Sequence, residues 1–250
     1  MSEIVIGSDF GGTNLRVALV GTKGEVLTHN SNKTLYSDTT DILVEKITSQ
    51  FKKIIAHSPE QPKAIGIAAA GLVDSQEKKI VFSPHIPGFK NLPLAKIIED
   101  QFNIPVVIEN DASAAALGEY TFGVSQGYRN VLHATLGTGI GGGIILDGKL
   151  YKGRDGLAGE IGHLVFNPSG KQCKCGARGC LETLASGSAF ADQAQSLISD
   201  GQSPILESIA KNQKPTAEML YAAAIKDEKA AIETIQNGGR LIGLGLVSLI

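Results

Sequence analysis

The chain has no basic excess. Its 23 Lys and Arg stand against 25 Asp and Glu, a formal net charge of -2, so it carries no electrostatic footprint for nucleic acid or for an anionic membrane surface. It lacks any apolar run approaching the ~20 residues that span a bilayer. The opening MSEIVIGSDFGG has neither a basic n-region nor a cleavage site, so no secretory signal is read. Cysteine is scarce: 3 residues, all between 173 and 180. An odd number so close together is a poor disulfide framework and suits a metal knuckle instead. A cytoplasmic location follows as the expectation. What remains is an ordinary globular composition, 42% hydrophobic and 19% charged over 250 residues, enough for one large domain or two smaller ones. Glycine, at 30 residues, is abundant and clustered, and such clusters mark places where backbone approaches something closely.

The pattern along the chain predicts a duplicated α/β fold. Ile4 to Ile6 leads into a Gly/Thr turn, Leu15 to Val20 follows, and after a polar turn come Val26 and Leu27. This reads as three antiparallel strands with a Gly-rich first hairpin. The segment from Asn130 repeats the order: apolar strand, Gly/Thr loop, apolar strand, a turn at Asp147-Gly148, third strand. Two such units suggest two facing domains with a cleft between them, 1–120 and 121–250. Between the repeats, helical spacing covers Ile42 to Ala56 and Leu94 to Phe102, strands cover Ala64 to Ala70 and Pro105 to Ile108, and an Ala-rich helix covers Ala112 to Tyr120. Beyond Ser186 the chain reads as helices at Ala189 to Ile198, Pro204 to Ala210, Ala217 to Ile225 and from Lys229 onward.

Four segments could carry chemistry. The loop Asp9-Phe10-Gly11-Gly12-Thr13-Asn14 offers backbone N–H groups and a hydroxyl to an anion, and Asp9 could hold a hydrated Mg²⁺ bridging phosphates; the same residues also read as a plain hairpin turn. The loop Leu136 to Gly143 contains GxGxxG, but strand and turn follow it where a dinucleotide fingerprint needs a helix. Two facing Gly/Thr hairpins suggest a clamp on one triphosphate. Glu109-Asn110-Asp111 follows a strand and opens a helix. Asp111 there suits the proton acceptor of phosphoryl transfer to an alcohol, with Asn110 orienting the same acceptor; Asp111 is equally a favoured helix N-cap. Finally His163, Cys173, Cys175 and Cys180 read as the Cys₃His set of a closed, structural zinc site; three reduced thiols without a metal are the alternative. Cys173 and Cys175, two apart in an extended segment, would grip one ion from the same side. Glu160 and Glu182 flank the knuckle and could meet sugar hydroxyls.

These residues carry a resemblance. DFGGTN at 9–14, AAAGLVD at 68–74, ENDASAAALGE at 109–119, LGTGIGGG at 136–143, GLAGEIGH at 156–163 and CKCGARGCLET at 173–183 resemble, in order, the motifs of the ROK family (repressor, open reading frame, kinase). The resemblance implies the two-domain ribonuclease H-like/actin-like ATPase fold of the sugar kinase–actin–heat-shock ATPase superfamily. It implies Asp111 as catalytic base and a sugar shell of Gly71, Asn110, Glu160, His163 and Glu182, with His163 also a zinc ligand. Asp9, Gly11, Gly12, Thr13, Asn14, Thr138 and Gly139 would form the Mg-ATP phosphate clamp. A homodimer closing its domains around the substrates is expected.

The glucokinase branch is the nearest in motif, so phosphorylation of glucose at its 6-hydroxyl is expected, ahead of N-acetylmannosamine, N-acetylglucosamine, mannose or fructose. A sugar-sensing regulator is the alternative of another class; its helix-turn-helix would precede the first Gly loop, and the first strand here begins near residue 3. Two departures stand out. Where the family commonly shows Pro-Asn-Leu-Pro-Gly-Trp, this chain has Pro84-His85-Ile86-Pro87-Gly88-Phe89, a difference bearing on sugar preference. The family pattern also continues for several tens of residues past the last helix, so a truncated chain with an exposed apolar end at Leu246 to Ile250 and weak nucleotide binding is expected.

Overall fold

The computed structural model describes residues 3–11, 14–33, 39–83, 86 and 89–249. The chain packs as two units, one comprising Met1–His133 and Gly143–Gly159, the other Ala134–Gly142 and Glu160–Ile250. Residues 121–133 and 143–159, placed by the sequence pattern in the second domain, therefore pack with the first unit.

The first unit is built on a five-stranded sheet. Strand β1 (Ile4–Phe10) buries every second residue, Ile4, Ile6 and Phe10 among them, as a pleated strand with one covered face should. Strands β2 (Asn14–Gly21) and β3 (Val26–Lys33) follow as antiparallel neighbours. Helix α1 (Thr40–Ala56) starts at Thr39, whose hydroxyl accepts from the Ile42 amide, and buries Leu43, Ile47, Phe51 and Ile54. The Phe51 ring meets Phe10 edge-on at 6.1 Å between centroids, a favoured aromatic geometry. The α1 crossover makes β4 (Ile65–Ala69) parallel to β1.

A second, small antiparallel sheet follows, β5 (Leu72–Asp74), β6 (Lys79–Phe82) and β7 (Lys90–Leu92), in that order. Helix α2 (Leu94–Phe102) then returns the chain to β8 (Val106–Asn110), parallel to β4, and α3 (Asp111–Phe122) begins at once. The main sheet runs β3-β2-β1-β4-β8. Its three parallel strands end in step, Asp9 opposite Ala68 and Ala68 opposite Glu109. In open α/β sheets the carboxyl edge of parallel strands is where ligands bind.

Strands β9 (Val131–Leu136), β10 (Ile140–Leu146) and β11 (Lys149–Leu150) form a sheet of order β11-β10-β9. This matches the β3-β2-β1 portion of the first sheet, as the internal repeat requires. β9 and β10 carry the chain from one unit to the other and back.

After Gly159 the chain re-enters the second unit with a 3-10 turn, Ile161–His163. An irregular segment follows, pinned by bridges between Val165 and Cys180 and between Gln172 and Arg178. Then come α4 (Glu182–Ala185), α5 (Gly187–Ser199), α6 (Pro204–Ala210), α7 (Ala217–Ile225) and α8 (Lys229–Val247). Leu206, Leu220, Ala223 and Ala231 form the core of this helical layer, with Phe190 and Ile198 packed against it. The buried Glu228 carboxylate holds the start of α6, accepting from the Ser203 hydroxyl and from the Ile205 and Leu206 amides, the latter two at 2.9 Å. Leu244, Val247 and Leu249 are exposed at the end of α8. No described helix is long and apolar enough to cross a membrane.

Candidate active site and metal centre

The carboxyl edge of β8 brings Gly71, Asn110 and Asp111 together. Asn110 has extended backbone, φ -59° and ψ 145°, and its Oδ1 accepts from the Ser113 amide at 3.0 Å. Asn110 is thus the N-cap, which corrects the reading of Asp111 as the cap. A cap must keep non-helical backbone while reaching an N–H two or three residues ahead, and Asp111 is already the first residue of α3. The Asp111 Oδ1 instead accepts from the Ala112 amide at 2.9 Å and from Asn110 Nδ2 at 3.1 Å. Asn110 Nδ2 also donates to the Gly71 carbonyl at 3.1 Å. One amide side chain therefore caps the helix, binds the loop after β4 and orients the Asp111 carboxylate. Negative charge is favoured at this end of a helix.

Beside this group the Glu109 carboxylate pairs with Lys152, whose ammonium also donates to Ser75 Oγ at 2.7 Å. Glu109 Oε1 accepts from the Asn110 amide at 3.1 Å. Lys152 escapes sequence reasoning because nothing in its own segment shows the carboxylate it will meet.

Asp9 stands on the same edge, two strands away. Arg16 is its cross-strand partner, with Nη1 3.3 Å from Asp9 Oδ2. Burial pushes the Asp9 carboxyl above the ordinary carboxylate range, and the charge and hydrogen bond of Arg16 pull the other way. Arg16 was not singled out in the sequence; its only signal is a register that depends on the hairpin. Gly11 donates its amide to the Asn14 carbonyl at 3.0 Å, closing that hairpin. Gly12 and Thr13 lie outside the described residues.

In the second unit the loop between β9 and β10 is closed by the Gly137 amide on the Gly139 carbonyl at 3.0 Å, and it runs into a strand, not a helix. The start of α5 is stitched to it, Gly187 donating to the Gly137 carbonyl at 2.8 Å and Ser188 to the Thr138 carbonyl at 3.3 Å. Glu182, expected beside a sugar, has its Oε2 3.1 Å from the Ile140 amide. Thr138, Gly139 and Glu182 are thus gathered at one loop.

His163, Cys173, Cys175 and Cys180 converge, each offering one ligand atom within 4.8 Å of all the others. His163 Nδ1 is 3.6 Å from Cys173 Sγ, and the Cys175 and Cys180 sulfurs are 3.7 Å apart. Zinc bonds of about 2.3 Å to sulfur and about 2.1 Å to nitrogen at tetrahedral angles require ligand edges of about 3.8 Å between sulfurs and about 3.6 Å from sulfur to nitrogen. The residues present fit the ion. Cys173 and Cys175 do not lie in an extended segment, however. They sit in a turn closed by the Gly176 amide on the Cys173 carbonyl at 3.1 Å and by the Cys173 amide on the Ala177 carbonyl at 2.8 Å. The turn reverses the chain between Cys173 and Ala177 and so lets Cys180 return beside Cys175, which an extended run could not do. Burial pushes the Cys180 thiol up to about 12 and also raises Cys173; a dication would favour the thiolate forms. Glu160 Oε2 lies 3.8 Å from His163 Nε2, the ring nitrogen turned away from Cys173, an arrangement that can orient a ligating imidazole.

The chain is 42% identical over 187 residues to the glucokinase of Streptomyces coelicolor, covering 75% of this chain and 57% of that one. It is 31% identical over 248 residues to the xylose repressor of Bacillus spizizenii, covering 98% of this chain and 60% of the repressor. The chain therefore spans little more than half the length of these two relatives. Among solved structures, a ROK family glucokinase from Streptomyces griseus in complex with glucose and AMPPNP superposes with a TM-score of 0.83 at 34% identity, over 98% of this chain and 78% of that one. The architecture is the actin-like ATPase fold of the ROK kinases. The ROK family model matches residues 5–250, and the chain belongs to the ROK family.

Proposed function

We propose that the chain catalyses ATP-dependent phosphorylation of a hexose, with glucose 6-phosphate as the foremost product. The observation that carries this reading is Asp111: a carboxylate at the carboxyl edge of the sheet's parallel strands, held by Asn110 and its own helix start. The relatives named glucokinase lend it the reaction class.

In this reading Asp111 accepts the proton of the attacking hydroxyl as the γ-phosphoryl group is transferred in line. Asn110, Glu160, His163 and the backbone at Gly71 orient the sugar, and Glu182 is assigned to the same shell. The segments Gly11, Gly12, Thr13 and Asn14 and Thr138 and Gly139 are assigned to the phosphates of ATP. Mg²⁺, when bound, neutralises phosphate charge, and Asp9 is the residue that would hold it. The Cys₃His cluster would hold a structural Zn²⁺ that takes no part in bond making. A homodimer belongs to the same proposal.

The test is ADP release from Mg-ATP with glucose, mannose, N-acetylmannosamine, N-acetylglucosamine and fructose, alongside Asp111→Asn. Turnover with one sugar should fall by about 10²–10⁴ in the variant, while calorimetry shows sugar binding retained. An active Asp111→Asn sinks the assignment of the base. The match to a xylose repressor over 98% of this chain favours a second reading, a sugar sensor. Sugar binding with no ADP release would support that reading over the kinase.

A further inference from the structure

We propose that Glu182 is a positioning residue for the second phosphate loop, and that metal in the knuckle sets the geometry of that loop through it. The nucleotide part of this inference rests on the assignment of Thr138 and Gly139 to phosphate.

The loop's exit into β10 is held on both sides. On one side Glu182 Oε2 accepts the Ile140 amide at 3.1 Å. The carboxylate also fills the space over Gly139, where an added Cβ would stand 2.2 Å from Oε2. On the other side the 3-10 turn lies against the Ile140 carbonyl so closely that a Cβ on Gly162 would stand 2.1 Å from its oxygen. Both groups of the Ile140 peptide region are thus packed against segments that carry knuckle residues. Gly162 precedes His163, and Glu182 follows Cys180 by two residues.

Those two segments are joined by backbone bonds, Leu181 to the Leu164 carbonyl at 2.8 Å and Phe166 to the Gly179 carbonyl at 2.9 Å. A metal bound by His163 and Cys180 would add a strong tie at the point where they flank the loop. Without that tie, the three thiols and the imidazole add only weak mutual hydrogen bonds to those backbone bonds. Beside the β9–β10 pairing that it connects, the loop is held by the Gly137 to Gly139 bond and the two stitches from α5. The position of the Ile140 amide, and with it the direction of the N–H groups before it, therefore follows the knuckle.

The experiment uses the full chain in zinc-loaded form, its metal-free form prepared by chelation, and Glu182→Ala, Glu182→Gln and Gly139→Ala. Hydrogen exchange of the peptide covering 136–142 is measured without nucleotide, AMPPNP affinity is measured by calorimetry, and zinc content is measured for each variant. Exchange in the loop should rise about tenfold in Glu182→Ala, the loss of one hydrogen bond, and likewise in the metal-free parent. Glu182→Gln should restore protection, because an amide oxygen accepts the same bond. Gly139→Ala should act like Glu182→Ala, because the new methyl displaces the carboxylate. AMPPNP affinity should track loop exchange, with zinc content staying at the parental level in the Glu182 variants. Unchanged loop exchange in Glu182→Ala or in the metal-free chain, or failure of Gln to restore it, overturns the positioning role. A loosened loop with unaltered AMPPNP affinity instead overturns the phosphate assignment and leaves the mechanical link standing.

Discussion

Replacing Asn110 separates two roles that one side chain performs. Its Oδ1 caps α3 on the Ser113 amide, and its Nδ2 holds the Gly71 carbonyl and the Asp111 carboxylate, all at 3.0–3.1 Å. Loss of the cap costs about 1 kcal/mol, and the two half-buried donations contribute about 1 kcal/mol each. Asn110→Ala should therefore lower stability by about 3 kcal/mol, a fall in Tm of about 6–12 °C at the usual 2–4 °C per kcal/mol for chains of this size. Turnover should fall by about 10²-fold, because Asp111 loses the group that orients it. Asn110→Ser is the discriminating variant. Serine caps helices well but cannot reach Gly71 and Asp111 with an amide. It should recover about 1 kcal/mol of stability and none of the turnover. Thermal melting by circular dichroism and coupled ADP release measure the two quantities. If serine restores turnover together with stability, Asn110 acts only through the helix and the orientation argument fails. A Tm within a degree of the parent in Asn110→Ala would show that the hydrogen-bond set contributes nothing.

Two other sites give independent checks. Burial raises the Asp9 carboxyl against the pull of Arg16. A carboxyl raised in the folded state contributes stability fully below its unfolded value, and that contribution is lost as pH rises through the folded one. Ionised Asp9 therefore weighs against folding near neutral pH. Asp9→Asn should melt no lower than the parent near pH 7, with any advantage fading toward about pH 3 where the parent carboxyl is protonated, while ATP turnover falls; a clear drop in Tm near pH 7 contradicts this. In the second unit Glu228→Ala leaves the Ser203, Ile205 and Leu206 donors without their buried acceptor. At about 1–3 kcal/mol for each orphaned group, a loss of about 4 kcal/mol is expected in urea melts, partly recovered by Glu228→Gln. A loss below about 1 kcal/mol would mean that water replaces the carboxylate at the start of α6.

The sequence alone settled what depends on neighbours in the chain. The helices α2, α6 and α7 were read at the bounds the structure shows, because helix-forming composition is a local property. The repeated strand–loop–strand order was legible for the same reason, and the density of thiols marked the knuckle before any fold was known. The small β5-β6-β7 sheet was not legible. Its strands are three or four residues long, too short for a period, and they exist only by pairing with each other. The turn holding Cys173 and Cys175 is likewise fixed by hydrogen bonds across it, not by their spacing. Tertiary structure alone decided that Asn110, not Asp111, caps α3. It also set Lys152 against Glu109, Arg16 against Asp9 and Glu182 on the Ile140 amide. Each joins side chains or backbone brought close by sheet register or by folded loops, and a one-dimensional pattern carries no record of which distant groups will share a hydrogen bond.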